Sequence, residues 1–333
     1  MGWKGALRSI NASSRRASRE AVRRQKDFDR RQAQLSKLMQ REQDALEVEE
    51  FENYLDVLRS IHRDCAEPVD WRSLAARPEP RPPVRSDAAA ASAKQALAAY
   101  VPGFFDRLFG RVDLRRRELT RAIESAKASD DANHARAVAE HAQVRHDWAD
   151  MRELARRILA GNREAELEAL QQLNPFSEMS ELGSEITFKV PEVGPIHAEI
   201  LVNGEHVIPS NTKALLQSGK LSIKKMPVGQ FYEIYQDYVC GCVLRTAREL
   251  FAALPIDAVI VTAMGEVLNT SSGHVEVQPI VSAAIPRRTL VRLNFDALDP
   301  SDSLRNFTHR MDFRKTKGFL PVRRIAPDEV TLH

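Results

Sequence analysis

Residues 230–263 read QFYEIYQDYVCGCVLRTARELFAALPIDAVIVTA, and this stretch decides the fold. From about Gln230 to Leu254 it is rich in Tyr232, Ile234, Tyr235, Tyr238, Val239, Leu244 and Phe251, which predicts a helix buried in a core. Pro255 stops that helix, and the uninterrupted run Ala258–Ala263 is a core strand. Toward the C-terminus, Asn269–Gly273 reads as a turn, Val275–Ile285 as a second strand, and Val291–Phe295 as an extension of the sheet. Asp299-Pro300-Ser301-Asp302 marks a helix start, predicted to run to about Arg310, and Phe319–Ile325 a closing strand. Toward the N-terminus, Ile186–Val190 and Ile196–Val202 form a hairpin around Val193-Gly194-Pro195. Asn203-Gly204 is the signal of a type I′ turn leading to Val207-Ile208. Residues 175–333 are therefore a mixed α/β domain, expected to stand without what precedes it.

Upstream the chain changes character. Between about Ala12 and Cys65 there is neither Pro nor Gly, and good helix formers dominate, which predicts one helix of roughly 50 residues. Its two halves differ in charge. Residues 1–37 carry eleven cations against Glu20, Asp27 and Asp29, a net of +8; residues 38–70 carry Arg41, Arg59 and Arg63 against ten acids, a net of −7. The acidic half has an apolar face (Val48, Phe51, Leu55, Leu58) and needs a partner. The basic half offers only Phe28, Leu35 and scattered alanines, so it projects into solvent or lies on an anionic surface. Residues 75–93, with Pro78, Pro80, Pro82 and Pro83, read as an extended linker. Phe104, Phe105, Leu108 and Phe109 fall on one face of a short helix. A second long helix follows from about Asp113 to Ala160, with Val144, Trp148, Met151, Ala155 and Ile158 at coiled-coil spacing, a weak point at Ser129-Asp130-Asp131 and an end at Gly161.

The expected class is thus α+β: a helical and coiled-coil N-terminal region (1–74, linker 75–93, 94–174) followed by the α/β domain 175–333. The charge totals agree with this plan, because 333 residues with 29% charged and only 6% aromatic side chains suit long solvated helices better than one large globule. The nearly balanced sum of +3 hides the polarity of the first helix. No run approaches the roughly 18 apolar residues of a membrane span, and the start Met1-Gly2-Trp3-Lys4-Gly5-Ala6 has neither a signal-peptide core nor a hydroxyl for myristoylation. The expected location is cytoplasmic, without a membrane partner. Three cysteines, Cys65, Cys240 and Cys242, make no even framework, and they read as reduced and inert.

Two groups of residues could carry function. Asp257 opens a strand directly after a helix, and Glu276 and Gln278 share a face of the next strand because strand side chains alternate. The order helix, strand with Asp, strand with acid-x-Lys, helix, strand resembles the core of the restriction-endonuclease-like nucleases over about residues 230–325. That resemblance implies a Mg²⁺ ion held by Asp257 and Glu276, with Glu249 as an added ligand, which activates water against a phosphodiester. Gln278 departs from the pattern: it stands where the lysine should be, and an amide supplies no charge.

The second group is basic. Arg314, Lys315 and Lys317 lie in a segment, 305–324, whose net charge is +6 and which interleaves Phe307, Phe313 and Phe319. Those rings either stack bases or belong to the core. Arg15, Arg16, Arg23 and Arg24 head the first helix, where nothing apolar explains the charge, so this half either meets nucleic-acid phosphates or is a solvated surface or the contact for a protein partner. No glycine-rich phosphate loop, zinc spacing or nucleophile elbow can be written. The expectation is a binding or scaffold protein without a cofactor, self-associating through its helices; the nuclease, with Mg²⁺, is the alternative.

Overall fold

The computed structural model describes residues 3–176, 185–268 and 272–330, apart from the side chains of residues 3–25, 27, 28, 33 and 105. The class is α+β. Two compact units are formed, one from residues 1–67 with 174–333 and the other from residues 68–173.

In the first unit α1 (Trp3–Ser60) is a 58-residue helix, about 87 Å at 1.5 Å per residue. The strands are β1 (Glu185–Lys189), β2 (Ile196–Leu201), β3 (Asn211–Leu215), β4 (Leu221–Lys225), β5 (Ala258–Leu268), β6 (Val275–Pro286), β7 (Thr308–Arg314) and β8 (Gly318–Leu320). Six of them make a sheet in the order β1-β2-β5-β6-β7-β8, in which only β2 and β5 are parallel. The hairpin expected at 186–202 is β1–β2. The long helix read from the opening stretch spans Val228–Ala253 and covers the face of the sheet that carries Ala198, Ile200, Val259, Val261, Ala283 and Ile285, all buried.

The opposite face is closed by the chain after β8. Ile325 packs on Ile260 and Ala284, its amide donates to Ser282 Oγ at 3.0 Å, and Ser282 Oγ lies 2.9 Å from Thr262 Oγ1. Burial on both faces explains why β5 is an unbroken apolar run. Strand β6 contains Pro279, which has no amide to give the ladder. The register steps across a bulge at Ala263/Met264, pairing Val281 with Ala263 and Pro279 with Met264, so that Ile280 is the extra residue. Gly265 makes room for it, since a Cβ there would lie 2.7 Å from Ile280 Cδ1.

Several local expectations are corrected. Asn203-Gly204 is not a type I′ turn: Gly204 has φ −65°, and Glu205–Val207 is a 3-10 turn. The Asn203 amide is drawn instead to the Tyr238 hydroxyl at 3.1 Å. Residues 291–295 are not a strand; a short helix, Arg287–Leu290, ends there, and Phe295 becomes a platform for the Arg248 guanidinium at 4.2 Å. The helix begun at Asp299 stops early, with Pro300–Ser303 and a 3-10 turn at Leu304–Asn306, because residues 308–311 pair with β6. Of the turn at 269–273 only Ser272 and Gly273 lie among the described residues.

The acidic half of α1 finds its partner inside this unit. Val48, Leu55, Leu58 and Ile61 are buried, and a Cβ on Gly241 would sit 2.7 Å from Ile61 Cγ2, so glycine permits the close approach. The β3–β4 hairpin, for which no sequence signal was read, lies along the same helix: Leu221 N–H donates to Asp44 Oδ2 at 2.9 Å and Lys213 Nζ pairs with Glu47 at 3.1 Å.

In the second unit α2 (Trp71–Ala76), α3 (Ala88–Ala98), α4 (Phe104–Leu108), α5 (Val112–Leu159) and α6 (Arg163–Leu173) follow in order; the helix Val228–Ala253 is hereafter α7. The proline segment is extended, as its composition demands, but it is held on α5: Trp148 Nε1 donates to Arg77 O at 3.0 Å, Arg152 Nε to Ala75 O at 3.1 Å, and His141 Nε2 lies 3.0 Å from Pro80 O. α3 begins inside the stretch read as linker.

Asp130, read as a weak point, is buried within an unbroken α5. Its carboxylate accepts the amides of Ala89 at 3.3 Å and Ala90 at 2.9 Å, so it caps the N-terminus of α3 from another helix. Gly161, with φ +74°, ends α5 as expected. Of the seam read on α5, Ala155 and Ile158 are buried within the unit, whereas Val144 is 52% and Met151 40% exposed. No helix among the described residues is long and apolar enough to cross a membrane.

Candidate functional site

The carboxylates of the nuclease-like reading are kept apart. Asp257 immediately precedes the point where Ala258 pairs with Pro286, whereas Glu276 pairs with Val267, so about nine residues of ladder, roughly 30 Å, separate them. One cation cannot touch both. Glu276 and Gln278 do share a face, as alternation requires: Gln278 Nε2 donates to Glu276 at 3.2 Å, and Ser272 Oγ donates to it at 2.7 Å.

Glu249 sits elsewhere again, buried in α7. It lies 3.6 Å from the equally buried Arg245 and accepts the Ala66 amide at 3.3 Å. This is a buried ion pair of the core. Among the described residues no group of three or more His, Cys, Asp or Glu is placed to hold a metal. The thiols are poor nucleophiles: burial pushes Cys242 up to about 12 and raises Cys240 as well, while burial and the Glu249 charge push Cys65 up to about 11.

The basic segment 305–324 divides. Arg305 pairs with Asp302 at 3.1 Å, Arg310 with Glu329, and Arg324 with Glu199 at 2.8 Å. Arg314, Lys315 and Lys317 are exposed around the β7–β8 turn, which the Lys317 amide closes on Arg314 O at 3.0 Å. The interleaved rings are not stacking platforms. Phe307 and Phe319 are buried, and Phe319 meets Phe313 and Tyr235 edge to face at 5.1 and 5.6 Å. The side chains of Arg15, Arg16, Arg23 and Arg24 lie outside the described residues.

A cleft of about 380 Å³ that sequence reading missed lies between α7, the Asp299 turn and β7. Its lining combines the acids Glu233, Asp237, Asp299 and Asp302 with Arg305, His309 and Lys315, and with Met311 and Phe313. Asp299 caps the short helix after it, accepting from Asp302 N at 2.9 Å and Ser301 Oγ at 2.8 Å. Burial pushes the Asp237 carboxyl up to about 6, and the Asp299 charge adds to it. Near neutrality Asp237 can therefore accept or donate a proton, or hold a cationic group of a ligand.

The sign of its linkage to stability follows. The native unit holds this proton more tightly than the unfolded chain, whose carboxyl titrates near 3.8, so ionisation lowers stability progressively from about pH 4 to about pH 6. Asp237→Asn is expected to raise Tm at about pH 7.5 and to leave it unchanged below about pH 4. An equal change at both values would show that Asp237 is not the titrating group.

Compared with family models, curated proteins and solved structures, the chain matches none of them.

Proposed function

We propose that this chain is a non-catalytic binding protein in which a folded α/β unit carries a basic helical arm, and that the arm takes polyanions, nucleic acid first, by contact with phosphates. The supporting observation is the change along α1. From Asp44 onward one face of the helix is built into the unit, whereas every described side chain from Asp29 to Gln43 is exposed. The helix thus runs about 60 Å beyond its anchor, and its first 37 residues net +8. The exposed Arg314, Lys315 and Lys317 add a second basic point on the unit itself. Cations that meet phosphates bind by counterion release and ignore base sequence.

Gel-shift titrations of the full chain with duplex DNA test this. With about six phosphates engaged, affinity is expected to fall roughly a thousandfold between about 50 and 200 mM salt. Replacing Arg15, Arg16 and Arg23 together by Gln should flatten the log–log salt slope by up to about 2.7, at about 0.9 per phosphate. Arg24 is kept because by position it stands on a different side of the helix from these three. A duplex affinity weaker than about 10⁻⁴ M at about 50 mM salt would remove nucleic acid as the partner of the arm.

A further inference from the structure

α1 has two apolar faces. At about 100° per residue, Asp44, Val48, Phe51, Leu55 and Leu58 point to one side, and all are buried or half-buried in the unit of α7. On the opposite side Leu35, Met39, Leu46 and Val57 agree in direction to within about 40°, because they follow one another at steps of four, seven and eleven. These four are 56, 68, 58 and 54% exposed. The sequence carries the spacing back through Phe28, seven residues before Leu35. A line of large apolar side chains opposite a helix's own packed face is unusual on a surface that meets only water.

Charge selects what covers it. Arg31 and Glu42, both exposed, stand on the same margin of the stripe, and by position in the sequence so do Arg24 and Glu49. If a second α1 is turned end for end so that Leu35 lies against Met39, the same register sets residue 28 against Leu46. It also brings Arg31 level with Glu42, and Arg24 with Glu49. Two-fold symmetry makes each of these contacts twice. Apolar then meets apolar while opposite charges meet at the margin. A parallel pair would instead set the +8 half beside the +8 half and the −7 half beside the −7 half, which repels.

We propose that the Leu35, Met39, Leu46 and Val57 face of α1 binds a second copy of this chain in antiparallel orientation, with Arg31 and Glu42 setting the register. The inference deepens the reading of α1 as a binding element and rests on it only to that extent. Arg15, Arg16 and Arg23 fall more than about 90° from the stripe, so the paired arm keeps cations for a polyanion.

Sedimentation equilibrium of the full chain without nucleic acid, from about 1 to 100 µM, provides the test. The wild type should sediment as a dimer of the 37.5 kDa chain. Met39→Asp with Leu46→Asp should weaken association by about 100-fold or more, since two carboxylates would enter an apolar contact. The near-UV tyrosine signal of α7 should not change, because neither side chain touches the core. Arg31→Glu and Glu42→Arg should each weaken the dimer, and the two together should restore it to within a few-fold of wild type.

A wild type that stays monomeric at 100 µM overturns the proposal. So does an aspartate variant that remains dimeric, or a double reversal no tighter than the single ones. A monomer that still binds duplex with the expected salt slope would lose the pairing and keep the arm; a dimer without duplex binding would do the reverse.

Discussion

Replacing Leu55 and Leu58 together by Ala is expected to lower the unfolding free energy of the α/β unit by about 4–8 kcal/mol, at about 2–5 kcal/mol for each buried leucine. Contact between neighbours three apart makes the two losses less than additive. Both side chains are buried on the face of α1 that packs in the unit of α7, just before Ile61 meets Gly241. Since whole domains hold only about 5–15 kcal/mol, this loss brings the unit to the edge of unfolding at 25 °C. Urea titration followed by the near-UV signal of Tyr232, Tyr235 and Tyr238 reads it directly. A combined loss under about 1 kcal/mol would show that α1 only rests on α7. The same packing bears on residues 176–333 taken alone. Without α1, the Gly241 surface of α7 faces water, and limited proteolysis of such a fragment should proceed much faster than within the full chain.

The second large effect lies one helical turn further along α7. Glu249→Ala is expected to cost about 3–5 kcal/mol, because it leaves the Arg245 guanidinium buried opposite no carboxylate and strips the Ala66 amide of an acceptor. Breaking one side of a buried pair is far more costly than removing both. Arg245→Met with Glu249→Leu should therefore recover most of the loss, and together with wild type and the single variants Arg245→Met and Glu249→Leu it completes a double-mutant cycle. If the double variant is as unstable as Glu249→Ala, the pair is not the origin of the cost.

Much of the architecture was legible in the chain itself. The absence of Pro and Gly across 12–65, the helix formers of α5, and Gly161 at its end are local facts, and local backbone preference suffices to set them. The apolar run of β5 and the turn between β1 and β2 are equally local. Strand β7 was not legible: Thr308–Arg314 reads as a basic helix end, and it becomes a strand because β6 offers a free edge. The polar β3–β4 hairpin has no core of its own, and its support, Asp44 and Glu47, lies more than 160 residues away. Asp130 likewise looks like a helix defect until Ala89 and Ala90 bring their amides to it.

The same division runs through the candidate sites. Charge is additive along the sequence, so the polarity of α1 and the exposed Arg314, Lys315 and Lys317 could be counted directly. Which rings were core and which cations were already paired could not, because Phe319 and Arg324 are occupied by Tyr235 and Glu199 from distant segments. Asp257 and Glu276 each stand at the start of a strand, and because β5 and β6 pair antiparallel, those two starts lie at opposite ends of the hairpin. The acidic cleft and the raised Asp237 exist only once the Asp299 turn closes on α7, for a carboxyl's affinity for its proton depends on the water removed and the charges brought near. The long helices, the apolar run of β5 and the net charge of each segment rest on neighbours in the chain and were settled by the sequence alone. Pairing, burial and proton affinity depend on segments far apart in the chain, and only the tertiary structure decided them.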